Sequence, residues 1–482
     1  MKYLFSCIIL IFFIGCAKNT PVPTATSIDD PLLIEPKPNH LVSSVVKGIP
    51  QNGKFYSKFV ESYDSFFDKF QEKMDSKFNR IFFKPWHLDK NRYKKSIAMW
   101  PFNVYPKKVT YSESYLKISK EWFSYQKNNA DFSNFNKLNR KAISIVNTNL
   151  RNFPSEKPVF GNIKKTGEGF PFDYSQNSAL KVNSPILVSH LSKDRAWAFV
   201  QSSFALGWVP IRDIAFVDDK FIKSFENSNY VVAIKDKFAI YDTADNFRFY
   251  SKIGTIFPIL KELKDGYVVA IATKDLDSKA LLIKAVVKKG FVLPKPVKFN
   301  SLHTTTVFDS LINEPYSWGG LLKNRDCSSM TRDFFAPFGI WLPRNSGSQK
   351  GYGEYISLKE YKRKTKEDLI LENGIPFLTL IYLKGHIMLY IGEVNGKPAV
   401  LHNTWGVKTV KNGKESRHII GKTIVSTLDL AKDVRGVKRT LLDKVKGMTI
   451  LADSELQASI NKIRFKEFNS LVVSNSKKLN SF

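Results

Sequence analysis

The stretch that decides the fold runs from residue 313 to residue 349, NEPYSWGGLLKNRDCSSMTRDFFAPFGIWLPRNSGSQ. Gly319, Gly320 and the polar run Lys323-Asn324-Arg325-Asp326 read as a loop. From Cys327 onward Met330, Phe334 and Phe335 recur at helical spacing, and Pro337 marks the stop. Cys327 therefore falls in the first turn of a short helix, with Asp326 as its N-cap. A helix N-terminus favours a thiolate, so this thiol reads as a nucleophile near neutral pH. The plainer alternative, a small buried hydrophobe, fits poorly with a loop-to-helix junction flanked by Asp and Ser.

The chain holds two further cysteines, Cys7 and Cys16, both near the N-terminus. Lys2 is followed by an apolar run over residues 3–14 and then Gly15-Cys16, the shape of a secretory signal. The run is too short to span a bilayer as a helix. Phe13-Ile14-Gly15-Cys16 resembles the bacterial lipobox, with Phe where Leu is usual. The resemblance implies that residues 1–15 are a signal peptide and that Cys16 is lipid-modified. Cys7 is then lost, Cys327 is the lone free thiol, and no intramolecular disulfide can form. An unpaired thiol in an exported protein points to reactivity.

With 482 residues and 43% apolar side chains the chain can bury cores in three or four domains. Its net charge of +30 is spread along the whole length, which attracts anionic surfaces in general. No nucleic-acid-binding signature accompanies that charge, so no nucleic-acid partner is expected. No HExxH or paired-cysteine spacing and no phosphate-binding glycine loop occurs, so neither a metal nor a cofactor is expected.

Residues 17–58 are rich in Pro, Thr, Ser and Asn and read as a flexible tether. Phe59, Tyr63, Phe66, Phe70, Met74 and Ile81 then predict an amphipathic helix over 59–83, ended by Pro85. Two more helices are expected, over 113–127 and 134–150. After Pro154 short alternating segments predict strands, at 185–189, 197–200 and 207–210. A second set follows at 230–234, 238–241, 267–272, 281–287 and 290–292. Both sets end in Gly-aromatic-Val, a weak internal repeat, and Pro294 and Pro296 mark the next boundary.

Tyr316-Ser-Trp-Gly-Gly, Asp326-Cys327-Ser328 and Leu342-Pro343-Arg344 resemble the core of the NlpC-type cell-wall cysteine peptidases, a papain-like α+β family. Asn147-Thr-Asn-Leu-Arg151 and Gly167-Glu-Gly-Phe-Pro-Phe-Asp173 resemble a subgroup in which a helical stabilising domain and two SH3-like domains come first. The one departure is Ser329, where the family often has Gly. The expected architecture is thus multidomain: a helical N-terminal stabilising domain (59–153), two small all-β SH3-like barrels (154–225 and 226–297), a C-terminal α+β papain-like domain (298–442) and a tail (443–482).

A thiol nucleophile needs a base within hydrogen-bond reach, and the base needs an orienting group. His386 opens the apolar strand Gly385-His-Ile-Met-Leu-Tyr-Ile-Gly392, where a histidine has no packing role. His402 lies in a second strand beyond Asn395-Gly396. The resemblance implies a Cys-His-His constellation: Cys327 nucleophile, His386 base, His402 orienter. His190 stays open between the cleft and a strand cap, and Arg325 and Arg344 between substrate carboxylates and structural ion pairs. A two-residue turn at Asn395-Gly396 would set Leu389 opposite His402 and send the two imidazoles to opposite faces. The hairpin must therefore contain an odd loop or a bulge.

A carboxylate beside Cys327 raises the thiol pKa unless a cation neutralises it. The resemblance supplies one, the free N-terminal amine of a stem peptide held by Asp326, with Tyr316 and Ser328 also on the substrate side. The activity it implies is cleavage of the bond between D-glutamate and the diamino acid in peptidoglycan stem peptides, through a thioester. Two alternatives share the chain: a non-catalytic wall-binding lipoprotein, and an amide or acyl transferase on the same fold. A monomer held in the cell envelope by its lipid anchor is the expected setting, at the periplasmic face of the outer membrane if the organism has one.

Overall fold

The computed structural model describes residues 45–60 and 67–462. The signal at 1–15, Cys16, the tether up to residue 44, residues 61–66 of the first expected helix and the tail beyond 462 lie outside the described residues. No helix among the described residues is long and apolar enough to cross a membrane.

Helix α1 (Phe67–Phe83) turns Phe67, Phe70, Phe78 and Phe83 inward; of the expected stripe Phe70 is buried, while Met74 and Ile81 are half-buried and Phe59 lies in a turn. Phe67 stacks on Phe299 at 4.3 Å, and Gln71 Nε2 donates to the carbonyls of Val297 and Phe338 at 2.6 and 3.0 Å. The helix thereby braces the C-terminal unit. The described end of the expected tether is not loose. Gln51 exchanges two hydrogen bonds with the Val425 backbone at 2.8 and 2.9 Å, and Tyr56 is fully buried against Phe308. Buried Tyr56 and Val60, four residues apart, give this segment an apolar face worth docking.

Helix α2 (Lys120–Asn129) starts on the Ser119 cap, later than the expected 113–127. The helix expected over 134–150 is a pair of strands, β1 (Arg140–Ser144) and β2 (Thr148–Arg151). Asn136 and Asn139 sit at φ 60° and 46°, left-handed positions that interrupt any helical path.

These strands join the sheet of the first β unit, which thus takes in residues 140–151 as well as those after 154. It adds β3 (Gln176–Leu180), β4 (Pro185–Leu191), β5 (Trp197–Gln201), β6 (Leu206–Pro210) and β7 (Ile214–Phe216), in the order β3-β2-β6-β5-β4-β1-β7. The second unit comprises β8 (Tyr230–Ala233), the hairpin β9 (Ala239–Tyr241) with β10 (Phe247–Tyr250), β11 (Ile256–Glu262), β12 (Gly266–Lys274), β13 (Ala280–Lys288) and β14 (Val292–Pro294). Its larger sheet runs β13-β12-β11-β8-β14.

The C-terminal unit is α+β. Helix α3 (Ser301–Leu311) and helix α4 (Cys327–Phe335) precede a sheet of β15 (Glu354–Ser357), β16 (Thr379–Leu383), β17 (His386–Val394), β18 (Lys397–Lys411), β19 (Lys414–Thr427) and β20 (Val445–Ile450). The order is β15-β20-β16-β17-β18-β19, antiparallel throughout. Strand β20, expected in a tail, lies between β15 and β16 because Val445, Met448 and Ile450 complete the core. Beyond it Leu456 and Ile460 are buried, and Asp453 pairs with Lys73 of α1 at 3.0 Å.

Candidate active site

Helix α4 begins as its sequence predicts. Asp326 accepts from the Ser329 N–H at 2.8 Å while Ser329 Oγ accepts from the Asp326 N–H at 2.8 Å, a reciprocal capping box. Ser329, the departure from the family pattern, thus has a defined task. Met330, Phe334 and Phe335 bury the helix against the sheet, and Gln349, itself fully buried, donates to the Ser328 carbonyl at 2.8 Å. Cys327 is 9% exposed, at the edge of the main core.

The preceding turn needs its glycines for a reason beyond tightness. Gly319 and Gly320 have φ of 65° and 80°, and a Cβ on Gly319 would come within 2.7 Å of the Gln176 carbonyl in β3. The nucleophile loop lies that close to the first β unit. Arg325, fully buried, ties it to the second. Its guanidinium pairs with Asp236 and donates to Asp333 at 2.7 Å. Arg325 and Arg344, left open on sequence grounds, are both engaged in internal ion pairs.

Arg344 grips Asp326 with two nitrogens, at 3.1 and 2.7 Å, and also donates to Ser328 Oγ at 3.0 Å. Burial opposes ionisation of Asp326, but Arg344 and the Ser329 N–H prevail and hold the carboxyl below its ordinary value. The cation that the sequence reading sought in a substrate ammonium is therefore present in the chain. With Ser329 N–H, Gly319 N–H and Ser328 Oγ as further donors, the two carboxylate oxygens have no free acceptor position.

Behind Cys327 stand the two histidines. His386 Nε2 lies 2.9 Å from His402 Nδ1, and His402 Nε2 lies 3.0 Å from Ser426 Oγ. Residues 395 and 396 form a two-residue turn with Val394 opposite Lys397. The pairing then shifts between Tyr390 and Gly392, so that Leu389 meets Leu401. Ile391 is the extra residue of a bulge. The bulge returns His386 to the face of His402, the second of the two solutions expected. Gly392 adopts φ 113° and Phe59 lies over it, leaving no room for a Cβ.

Strand β17 starts at His386, and the N–H of the next residue, Ile387, points at the Cys327 sulfur. With Nε2 of His386 engaged, Nδ1 is the nitrogen left for the thiol. Burial pushes the Cys327 thiol up to about 12, helped by Asp326, and the His386 imidazole down to about 4. The expected thiolate is thus not the resting form: a neutral pair is, because desolvation outweighs the helix dipole. His402, fully buried, is also held neutral by burial first and by His386 second.

Tyr316 is buried enough to raise its phenol well above the ordinary value, and its ring lies 6.0 Å from Trp405. Phe172, from the loop between β2 and β3, lies 6.2, 5.9 and 6.0 Å from Tyr316, Trp318 and Trp405. This aromatic group joins the first β unit to the site. Ser328 turns toward Asp326 and Arg344. His190 is far from these contacts: fully buried among Phe132, Phe199 and Trp208, it bonds the Ala130 carbonyl at 2.9 Å. Ser426, Gln349, Asp236 and Phe172 were given no role in the sequence reading; Gln349 and Phe172 stood in quoted stretches.

Comparison with known families matches a model described as the NlpC/P60 family over residues 313–428. An NLPC_P60 N-terminal stabilising domain matches 5–135, an SH3 domain of SH3b1 type 158–210, and one of SH3b2 type 218–264. Among solved structures, an NlpC/P60 endopeptidase from Photobacterium damselae subsp. piscicida is 26% identical with a TM-score of 0.76, over 84% of this chain and 97% of that one. An NlpC/P60 family protein from Bacillus cereus is 16% identical with a TM-score of 0.41, over 58% of this chain and 83% of that one. No curated protein matches the chain.

Proposed function

Because the chain belongs to the NlpC/P60 peptidase family, with its N-terminal stabilising domain and SH3b1 and SH3b2 domains, we propose that it is a cysteine endopeptidase of peptidoglycan stem peptides. The bond cut is that between D-glutamate and the diamino acid. The observation that carries the reading is the hydrogen-bonded pair His386–His402, 2.9 Å apart, on the adjacent strands β17 and β18 that pack against the Cys327 helix.

In this reading His386 Nδ1 takes the Cys327 proton as the sulfur attacks the carbonyl carbon. The imidazolium that forms donates from Nε2 to His402 Nδ1, whose own Nε2–H donates to Ser426 Oγ. That order of tautomers keeps every ring nitrogen in use. The oxyanion faces N–H groups of the first turn of α4, which have no intrahelical acceptors. His386 returns the proton to the departing amine, the C–N bond breaks and a thioester remains. Water, deprotonated by His386, then releases the carboxylate and restores the thiol.

Tyr316, with Phe172 and Trp405 beside it, walls the substrate side. Asp326 and Ser328 act by fixing Arg344 and the helix start, since Asp326 has no free acceptor for an ammonium. A lipid anchor on Cys16 would hold the enzyme in the cell envelope. The test is mass spectrometry of a synthetic L-Ala-γ-D-Glu-diamino acid peptide, with its amine free or acetylated. Cleavage at the γ-glutamyl bond is expected for both, with rates within about threefold. Cleavage elsewhere, or none, rejects the bond assignment; a large loss on acetylation restores Asp326 as an ammonium ligand.

A further inference from the structure

On the opposite side of α4 from the histidines lies a cavity of about 80 Å³, where α1, both β units and the C-terminal unit meet. Neither Cys327, His386 nor His402 lines it. Its cationic lining is Lys181, Lys252, Lys323, Arg325, Arg332 and Arg344, against a single lining carboxylate, Asp333. Asp236, Asp326 and Glu314 reach some of these cations from behind, and Glu314 is shared with Lys237. Six cations thus face four carboxylates in a partly enclosed space.

The imbalance falls on Arg332. It projects from the second turn of α4, donates Nε–H to the Leu342 carbonyl at 3.0 Å and lies over the Phe204 ring at 3.9 Å. No carboxylate among the described residues lies within ion-pair distance of it. Burial without such a partner lowers its proton affinity to about 10, and Lys252 is lowered by burial to about 8. A second observation comes from Trp341, which lines the same cavity: its indole N–H is buried and has no acceptor. An enclosed surplus of positive charge with an unsatisfied donor is costly until an anion enters.

We propose that this cavity is a binding site for a small oxyanion, a phosphate or the carboxylate of a small peptide, with Arg332 as its principal ligand. Lys323, exposed, stands at the rim, and the half-buried Lys252 and Arg332 form the interior. Planar guanidinium recognition suits either oxyanion. Because Arg344 both lines the cavity and holds Asp326, an anion there is adjacent to the machinery without touching it. The claim concerns binding and stands apart from the hydrolytic reading.

The test is calorimetry and thermal unfolding of the full chain with inorganic phosphate and, separately, N-acetylglycine, each against chloride at equal ionic strength. Saturable one-site binding and a rise in Tm beyond that in chloride are expected for at least one probe; whichever binds names the source. Arg332→Gln should weaken that binding about tenfold or more, whereas Arg332→Lys should keep part of it. Lys432→Gln, an equal charge change at an exposed position, should leave it intact, as should Cys327→Ala. Responses no greater than chloride for both probes, or equal binding by wild type and Arg332→Gln, would overturn the proposal. If Arg332→Gln unfolds, Arg332→Lys decides: undiminished affinity at a non-planar ammonium would assign the effect to bulk charge and reject the site.

Discussion

At the scale of single residues, the chemistry rests on two groups whose burial keeps both neutral. Cys327 is pushed up to about 12 and His386 down to about 4, so the competent pair is thiol and imidazole across the whole interval. The dependence of kcat/KM on pH should therefore fall only as pH drops through about 4, where His386 takes a proton. It should stay level to beyond pH 9. An alkaline limb one or two units above the ordinary histidine value of about 6.5 would instead mark a thiolate–imidazolium pair. Cys327 and Asp326 were legible because a cysteine at a loop-to-helix junction stands out locally. His386 stood out as a polar side chain at the start of an apolar strand. Ser426 and Asp236 were not, because a serine or an aspartate means nothing until a distant element brings it to its partner. Arg344, 17 residues beyond Cys327 in the chain, was visible but ambiguous, and only its geometry shows which carboxylate it serves.

At the scale of elements, the hairpin β17–β18 decides whether the histidines can meet. Alternation along a strand fixed the alternatives in advance, an odd loop or a bulge, but no sequence rule chooses between them. The bulge at Ile391 is held by Gly392 and by Phe59, a residue more than 300 positions away, so its cause is tertiary. Deleting Ile391 removes only the extra residue and leaves Tyr390 opposite Val400 and Leu389 opposite Leu401, so His386 should stay on the face of His402 and measurable kcat/KM should remain. Deleting Leu389 instead should move His386 by one position to the opposite face and reduce kcat/KM to background. Circular dichroism of both variants checks that the sheet persists; background activity on loss of Ile391, or activity kept on loss of Leu389, with an intact sheet would contradict the register account. Strand positions in both β units were readable from alternation. The helix expected over 134–150 is absent because Asn136 and Asn139 take left-handed backbone angles that break any helical path.

At the scale of the molecule, the site is shared property. The first β unit sends Phe172 to the aromatic wall, the second sends Asp236 to Arg325, and α1 braces the C-terminal unit through Phe299 and Phe338. Removing one partner of a buried ion pair costs roughly 3–5 kcal/mol, so Asp236→Asn should lower the denaturant midpoint well outside error although it lies in another unit. A shift no larger than that of an exposed Asp→Asn control would show that the units are coupled elsewhere. The central claim remains the nucleophile, and Cys327→Ala tests it most directly. Since Cys327 is 9% exposed within the main core, the change should cost only about 1 kcal/mol of stability. Purified wild type and Cys327→Ala would be incubated with the defined stem peptide and read by mass spectrometry. The account predicts turnover by the wild type and none by the folded alanine variant; turnover by that variant would contradict it.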